Sequence, residues 1–137
     1  MGKVRDVMTA EPIVLQRDQS IADAARAMRD NDMGSVLVVD GDKLCGIVTD
    51  RDIVVRALAE SAAPSSPIGT VCTPHLVAVE ADDDTAEALR VMQDNAVRRL
   101  PVMDHGRIVG MVSIGDLAVE QDEESALADI SAARPTQ

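Results

Sequence analysis

The chain repeats itself at a spacing of 64 positions, which lays Val4 to Ala57 over Ile68 to Gln121 without a gap. The coinciding residues punctuate structure: Val7 with Val71, Thr9 with Thr73, Asp18 with Asp82, and Met28-Arg29-Asp30-Asn31 with Met92-Gln93-Asp94-Asn95. Gly46 meets Gly110 and Asp52 meets Asp116. A repeat of this length present only twice predicts two copies of one supersecondary unit packed on each other, because a solenoid needs three or more. A cleft between the copies is then a candidate site.

Within one copy, the apolar run Ile13-Val14-Leu15 predicts a short strand, mirrored by Val77-Ala78-Val79. A helix follows each. Ser20 with Asp23 and Asp84 with Glu87 have the spacing of capping boxes, Ile21, Ala24, Ala25 and Met28 share one face, and Asn31 and Asn95 close the helices. Val36 to Val39 and Leu100 to Met103 then enter polar turns, Asp40-Gly41-Asp42 and Asp104-His105-Gly106, and return as Leu44 to Thr49 and Ile108 to Ser113. That pattern is a hairpin in each copy. Pro101, without an amide hydrogen, is expected at the start or edge of its strand. A second helix begins near Asp50, and its counterpart holds Leu117 and Ala118. The fold class is α+β, with the order strand, helix, strand, strand, helix written twice. Residues 1–60 form the first repeat, 61–67 the Pro- and Ser-bearing linker, 68–121 the second repeat and 122–137 an acidic tail.

Several function classes lose ground on composition. A formal charge of −11 opposes attraction to nucleic acid or to an anionic membrane, and a chain without Phe, Tyr or Trp offers no base-stacking platform. No run reaches the ~18 apolar residues of a membrane span, and no secretory signal opens the chain. The expected compartment is the cytoplasm. There Cys45 and Cys72 are read as free thiols acting as small buried hydrophobes in preference to a redox pair, with a cross-repeat disulfide as the less favoured alternative. His75 and His105 lack a second ligand at metal spacing and are read as surface residues, so no metal is assigned. The sequence shows neither an activated nucleophile nor a pair of carboxylates placed for acid and base roles, so an enzyme is not expected.

The segments Gly46-Ile47-Val48-Thr49-Asp50-Arg51-Asp52 and Gly110-Met111-Val112-Ser113-Ile114-Gly115-Asp116 place a hydroxyl and a carboxylate three residues apart where a strand becomes a helix. The hydroxyl of Thr49 or Ser113 can donate to a phosphate oxygen, and Asp52 or Asp116 can accept from paired ribose hydroxyls. The same spacing is a plain helix cap that needs no ligand.

With these segments in place, together with Val7-Met8-Thr9, Arg98-Arg99-Leu100-Pro101-Val102 and Asp104, the chain resembles the cystathionine beta-synthase (CBS) domain family from Val4 to about Gln121, as a free-standing CBS pair or Bateman module. The resemblance implies two units related by a pseudo-twofold axis, with clefts that take adenosyl compounds: AMP, ADP, ATP, S-adenosylmethionine or NAD, as regulatory ligands and not obligatory cofactors. By position it implies phosphate contacts from Thr49 and Ser113 and ribose contacts from Asp52 and Asp116. Adenine slots would be lined by Gly34-Ser35-Val36, Arg98-Arg99-Leu100-Pro101, Pro12-Ile13 and Leu76-Val77. Arg51, Arg98 and Arg99 are candidates to neutralise a polyphosphate or are solvated surface charges. The implied function is a non-catalytic ligand sensor, of the kind found among bacterial stress-response proteins. The alternative is a dimeric interaction scaffold with vestigial clefts, and a homodimer and an unidentified regulated protein are the expected partners.

Overall fold

A computed structural model of the chain describes residues 2–74 and 77–120. His75, Leu76, Gln121 and the acidic tail lie outside the described residues. The architecture is α+β, with two four-stranded sheets, and it carries the expected element order twice. The sheets do not follow the halves of the chain. Among the described residues, one compact unit runs from Pro12 to Pro74, and the other joins Gly2 to Glu11 with Val77 to Glu120.

In the first of these, the central unit, β2 (Val14–Gln16) runs parallel to β3 (Ser35–Asp40), which pairs antiparallel with β4 (Lys43–Thr49) and β4 with β5 (Thr73–Pro74). The terminal unit repeats the plan with β6 (Val79–Glu80), β7 (Arg99–Asp104), β8 (Arg107–Ser113) and β1 (Thr9–Ala10). Two short strands are therefore exchanged: β1, from the first copy, completes the sheet of the second, and β5, from the second, completes that of the first. Gly46 and Gly110 admit them. A Cβ on Gly46 would collide with the Thr73 carbonyl, meeting its carbon at 2.9 Å, and one on Gly110 would sit 2.9 Å from the Thr9 carbonyl oxygen.

The helices cover these sheets with the faces their spacing dictates. From α2 (Ile21–Asn31), Ile21, Ala24 and Met28 join Val36, Val38, Val48, Ala57, Ile68 and Val71 in the central core, whereas Ala25 is exposed. From α3 (Thr85–Asn95), Ala88 and Met92 join Val4, Val79, Leu100, Val102, Val112 and Leu117. Val4 belongs to a short α1 (Val4–Val7), which explains why the first residues fold with the second copy. Ser20 and Asp23 form their capping box, with Asp23 N–H donating to Ser20 Oγ at 3.0 Å and Ser20 N–H to Asp23 Oδ2 at 3.2 Å. The box expected of Asp84 and Glu87 is not made: Asp84 accepts from Lys3 Nζ at 3.4 Å, and Glu87 is paired with Arg90. Both helices end as expected, and the residues that follow, Asp32 and Ala96, are left-handed, with φ of 52° and 56°.

Pro101 departs from its expected place. It is the third residue of β7, an interior strand, and its ring is fully buried. The physical reason lies in the repeat. Its counterpart Leu37 donates its N–H to Ile13 O at 2.8 Å, so the missing hydrogen of Pro101 faces the parallel neighbour and not β8. The parallel ladder accordingly begins one position later in the terminal unit, at Val79↔Val102, where the central unit begins at Val14↔Leu37.

Candidate functional site

Each hairpin delivers its last strand directly into a helix, and the junction is a reciprocal box. In the central unit Asp52 N–H donates to Thr49 Oγ1 at 3.0 Å while Thr49 N–H donates to Asp52 Oδ2 at 2.9 Å. In the terminal unit Asp116 N–H donates to Ser113 Oγ at 3.1 Å and Ser113 N–H to Asp116 Oδ2 at 2.8 Å. The cap role is thus filled in both copies. Each box uses only Oδ2, and among the described residues Oδ1 of Asp52 and of Asp116 accepts no hydrogen bond. All four residues are half-buried.

The strands bring the other expected residues to these junctions unequally. Ser35 lies across from Thr49, and Arg99 across from Ser113, in the antiparallel register. Gly34 O accepts from Asp50 N–H at 3.0 Å, and its counterpart Arg98 O from Ile114 N–H at 2.8 Å, so both sit at the first turn of the helix. Gly34 is exposed and a Cβ there would meet nothing closer than Asp50 Oδ2 at 3.4 Å. Arg98 is exposed, Arg99 half-buried, and Arg51 exposed at the start of its helix. Ile13 and Val77 are half-buried against their own cores. Pro101 is a packing residue in this conformation, since its ring has no accessible face.

Three residues that the sequence reading passed over shape the electrostatics. Beside Asp116 the terminal unit has a pocket of 220 Å³ lined by Asp6, Val7, Asp116, Val119 and Glu120. Its counterparts 64 positions away are Thr70, Val71, Asp52, Val55 and Arg56. The apolar pair and one carboxylate recur, while Asp6 becomes Thr70 and Glu120 becomes Arg56. The surroundings of Asp116 are therefore acidic, whereas Arg56 donates from Nη1 to Thr73 Oγ1 at 3.0 Å in the central unit. The signal was present in the repeat, since residues 4 apart on a helix share a face and both Glu120 and Arg56 lie four beyond the aspartate. Asp6 could not be found that way, because it reaches the pocket only through the exchanged N-terminal segment.

His105 occupies the surface turn after β7 with a φ of 52°, ahead of Gly106 at 79°, and its Nδ1 lies 2.7 Å from Asp104 Oδ1. Two consecutive left-handed residues are what a two-residue hairpin of this hand requires. Among the described residues no group of three or more His, Cys, Asp or Glu could hold a metal ion, and no helix is long and apolar enough to cross a membrane.

Comparison with known proteins places these features. The model of the CBS domain matches residues 4–58 and 68–123. The CBS domain-containing protein YhcV of Bacillus subtilis is 35% identical over 135 residues, covering 96% of each chain. The crystal structure of Hypoxic Response Protein I with two coordinated zinc ions is 34% identical with a TM-score of 0.74, over 86% of this chain and 98% of that one. The CBS domain pair of protein MJ0100, in complex with 5′-methylthioadenosine and S-adenosyl-L-methionine, is 25% identical with a TM-score of 0.77, over 90% and 98% of the two chains. With both repeats matched and relatives aligned end to end, the chain belongs to the CBS domain family, as a tandem CBS pair.

Proposed function

We propose that this chain is a non-catalytic regulatory module that binds an adenosine-containing ligand at the Thr49–Asp52 and Ser113–Asp116 junctions. One observation carries the reading: in both copies a hydroxyl and a carboxylate are held three residues apart at a helix start, with Oδ1 of the carboxylate left to accept. The MJ0100 pair, crystallised with two adenosyl compounds, supports that ligand class. Asp52 and Asp116 would hold ribose hydroxyls, and Thr49 and Ser113 a phosphate or other 5′ substituent. Gly34 and Arg98 would offer backbone, Ile13 and Val77 apolar surface, and Arg51, Arg98 and Arg99 positive charge. Carboxylates already engaged by backbone N–H groups suit holding a ligand, not shuttling its protons. A bound ligand regulates only through unequal affinity for two states of the protein. The unequal surroundings of the two junctions fit sites that respond to different concentrations or different members of the class.

A second reading is favoured by the helix after Asp52, which exposes Val54 at 55%, Val55 at 43% and Leu58 at 71%. An apolar face of this kind suits a homodimer acting as an interaction scaffold in the cytoplasm.

Calorimetric unfolding with and without AMP, ADP, ATP, S-adenosylmethionine and NAD separates the two. A ligand present at ~100 times its dissociation constant adds ~2.7 kcal/mol. A rise in Tm with an adenosyl compound that guanosine nucleotides do not produce, reduced in Asp52→Ala or Asp116→Ala, is the expected result. No rise with any of them supports the scaffold.

A further inference from the structure

The two cysteines, distant in sequence, both pack against the core cluster of the central unit. Cys45 is the extra residue of a β-bulge, since Val38 pairs with Gly46 and Val39 with Leu44. Cys72 directly precedes β5, which pairs with β4 at Ile47↔Thr73 and Gly46↔Pro74. The close approach allowed by Gly46 brings Cys72 Sγ within 3.2 Å of the point where a Cβ on that glycine would stand, and Gly46 is bonded to Cys45. Both side chains are half-buried against one apolar cluster, and both are free thiols. A bulge turns its residues away from strict alternation, and Cys45 packs against the same apolar cluster as Cys72.

The other copy serves as an internal control. At the corresponding positions, 64 residues away, stand Val109 and Met8, which fill the same half-buried places in the terminal unit. Apolar packing at these positions needs no sulfhydryl. A pair of thiols placed there adds a chemistry that the second copy lacks.

We propose that Cys45 and Cys72 form a reversible intramolecular disulfide, a modification site that fastens the exchanged strand β5 to β4. With hydrogen peroxide as oxidant, one thiolate sulfur takes an oxygen, the O–O bond breaks and water leaves after protonation. The second sulfur then attacks the resulting sulfenic acid, the S–S bond forms, the S–O bond breaks and a second water departs. Both thiols are oxidised and the peroxide is reduced. Because β5 also carries Thr73, the partner of Arg56, the bond restrains a strand hydrogen-bonded to the helix that starts at the Thr49–Asp52 junction.

Burial pushes the Cys72 thiol above its ordinary range, the neighbouring Cys45 and Asp52 add to the rise, and Arg17 and Arg56 oppose it. Cys45, whose Sγ donates to Lys43 O at 3.8 Å, lies nearer the surface end of the hairpin. Thiolate is the attacking species, so oxidation accelerates as pH rises.

The experiment treats the full chain with hydrogen peroxide at pH 7 and pH 9, quenches it, and counts thiols in denaturant alongside peptide mass mapping. The expected result is a fall from two thiols to none per chain, a Cys45–Cys72 peptide, unchanged mobility as a single chain on a non-reducing gel, and recovery with dithiothreitol. The variants Cys45→Val and Cys72→Met install the residues used by the other copy and should fold. In each, the remaining cysteine gives a sulfenic acid or a bond between chains. Two alkylatable thiols after oxidation, over-oxidation of one cysteine with the other still free, or cross-linking between wild-type chains would each overturn the proposal.

Discussion

Alanine at Gly46 should unfasten β5. The new Cβ would point into the Thr73 carbonyl, at 2.9 Å from its carbon and closer to its oxygen. Restoring an ordinary C···O separation moves that carbonyl by about 1 Å. A shift of this size takes an N–H···O bond of ~2.9 Å out of range, so the short ladder at Gly46↔Pro74 and Ile47↔Thr73 opens. Overpacking of this kind costs about 1–3 kcal/mol, and each lost backbone bond about 0.5–1.5 kcal/mol, which places Gly46→Ala at roughly 2–3 kcal/mol. Gly110→Ala should cost about half as much, since its neighbours are the Thr9 oxygen at 2.9 Å and the flexible Met8 side chain. Gly34→Ala, with nothing nearer than 3.4 Å, should stay within about 0.5 kcal/mol. Far-UV circular dichroism in urea orders the three variants, since the chain has no Trp for fluorescence. Equal stability of Gly46→Ala and Gly34→Ala would refute the argument that close approach at this glycine admits β5.

Two further outcomes follow from the helix ends. Ala96 holds a left-handed conformation at an exposed position, so Ala96→Gly should stabilise by about 1 kcal/mol in the same urea assay. The Asp23 carboxyl is held below the usual carboxylate range by the Ser20 N–H and then by Arg26. A depressed carboxyl contributes stability that is fully present above its unfolded pKa and is lost as pH falls through the folded value. Stability should therefore drop below about pH 4, and Asp23→Asn should flatten that acid limb in a pH series of unfolding curves.

The hairpins, the helices and the two junction boxes were legible in the sequence because each is a local pattern: apolar runs of known period, turn residues, and a hydroxyl three residues before a carboxylate. What was not legible depends on partners far away. The 64-residue period aligns the copies but carries no information on which sheet receives Thr9 and which receives Thr73, so the exchange, and with it Asp6 beside Asp116, stayed hidden. Asp84 lost its expected box for the same reason, since Lys3 arrives from the chain's other end. The proximity of Cys45 and Cys72 combines a bulge with an exchanged strand, neither of which a spacing reveals. Pro101 was misplaced because a local rule says only that the residue cannot donate, whereas the sheet decides which side lacks a need for the donor.

The exchange of β1 and β5 also orders events during synthesis. Everything the central unit needs lies between Pro12 and Leu76, so it can close while the ribosome is still making the second copy. The terminal unit cannot: Thr9 and Ala10 must wait for Met111 and Gly110, a closure across about a hundred residues that carries a loop-entropy penalty. A nascent chain of this sequence thus emerges with its first residues idle, and a truncation before β8 would leave them without the strand they pair with.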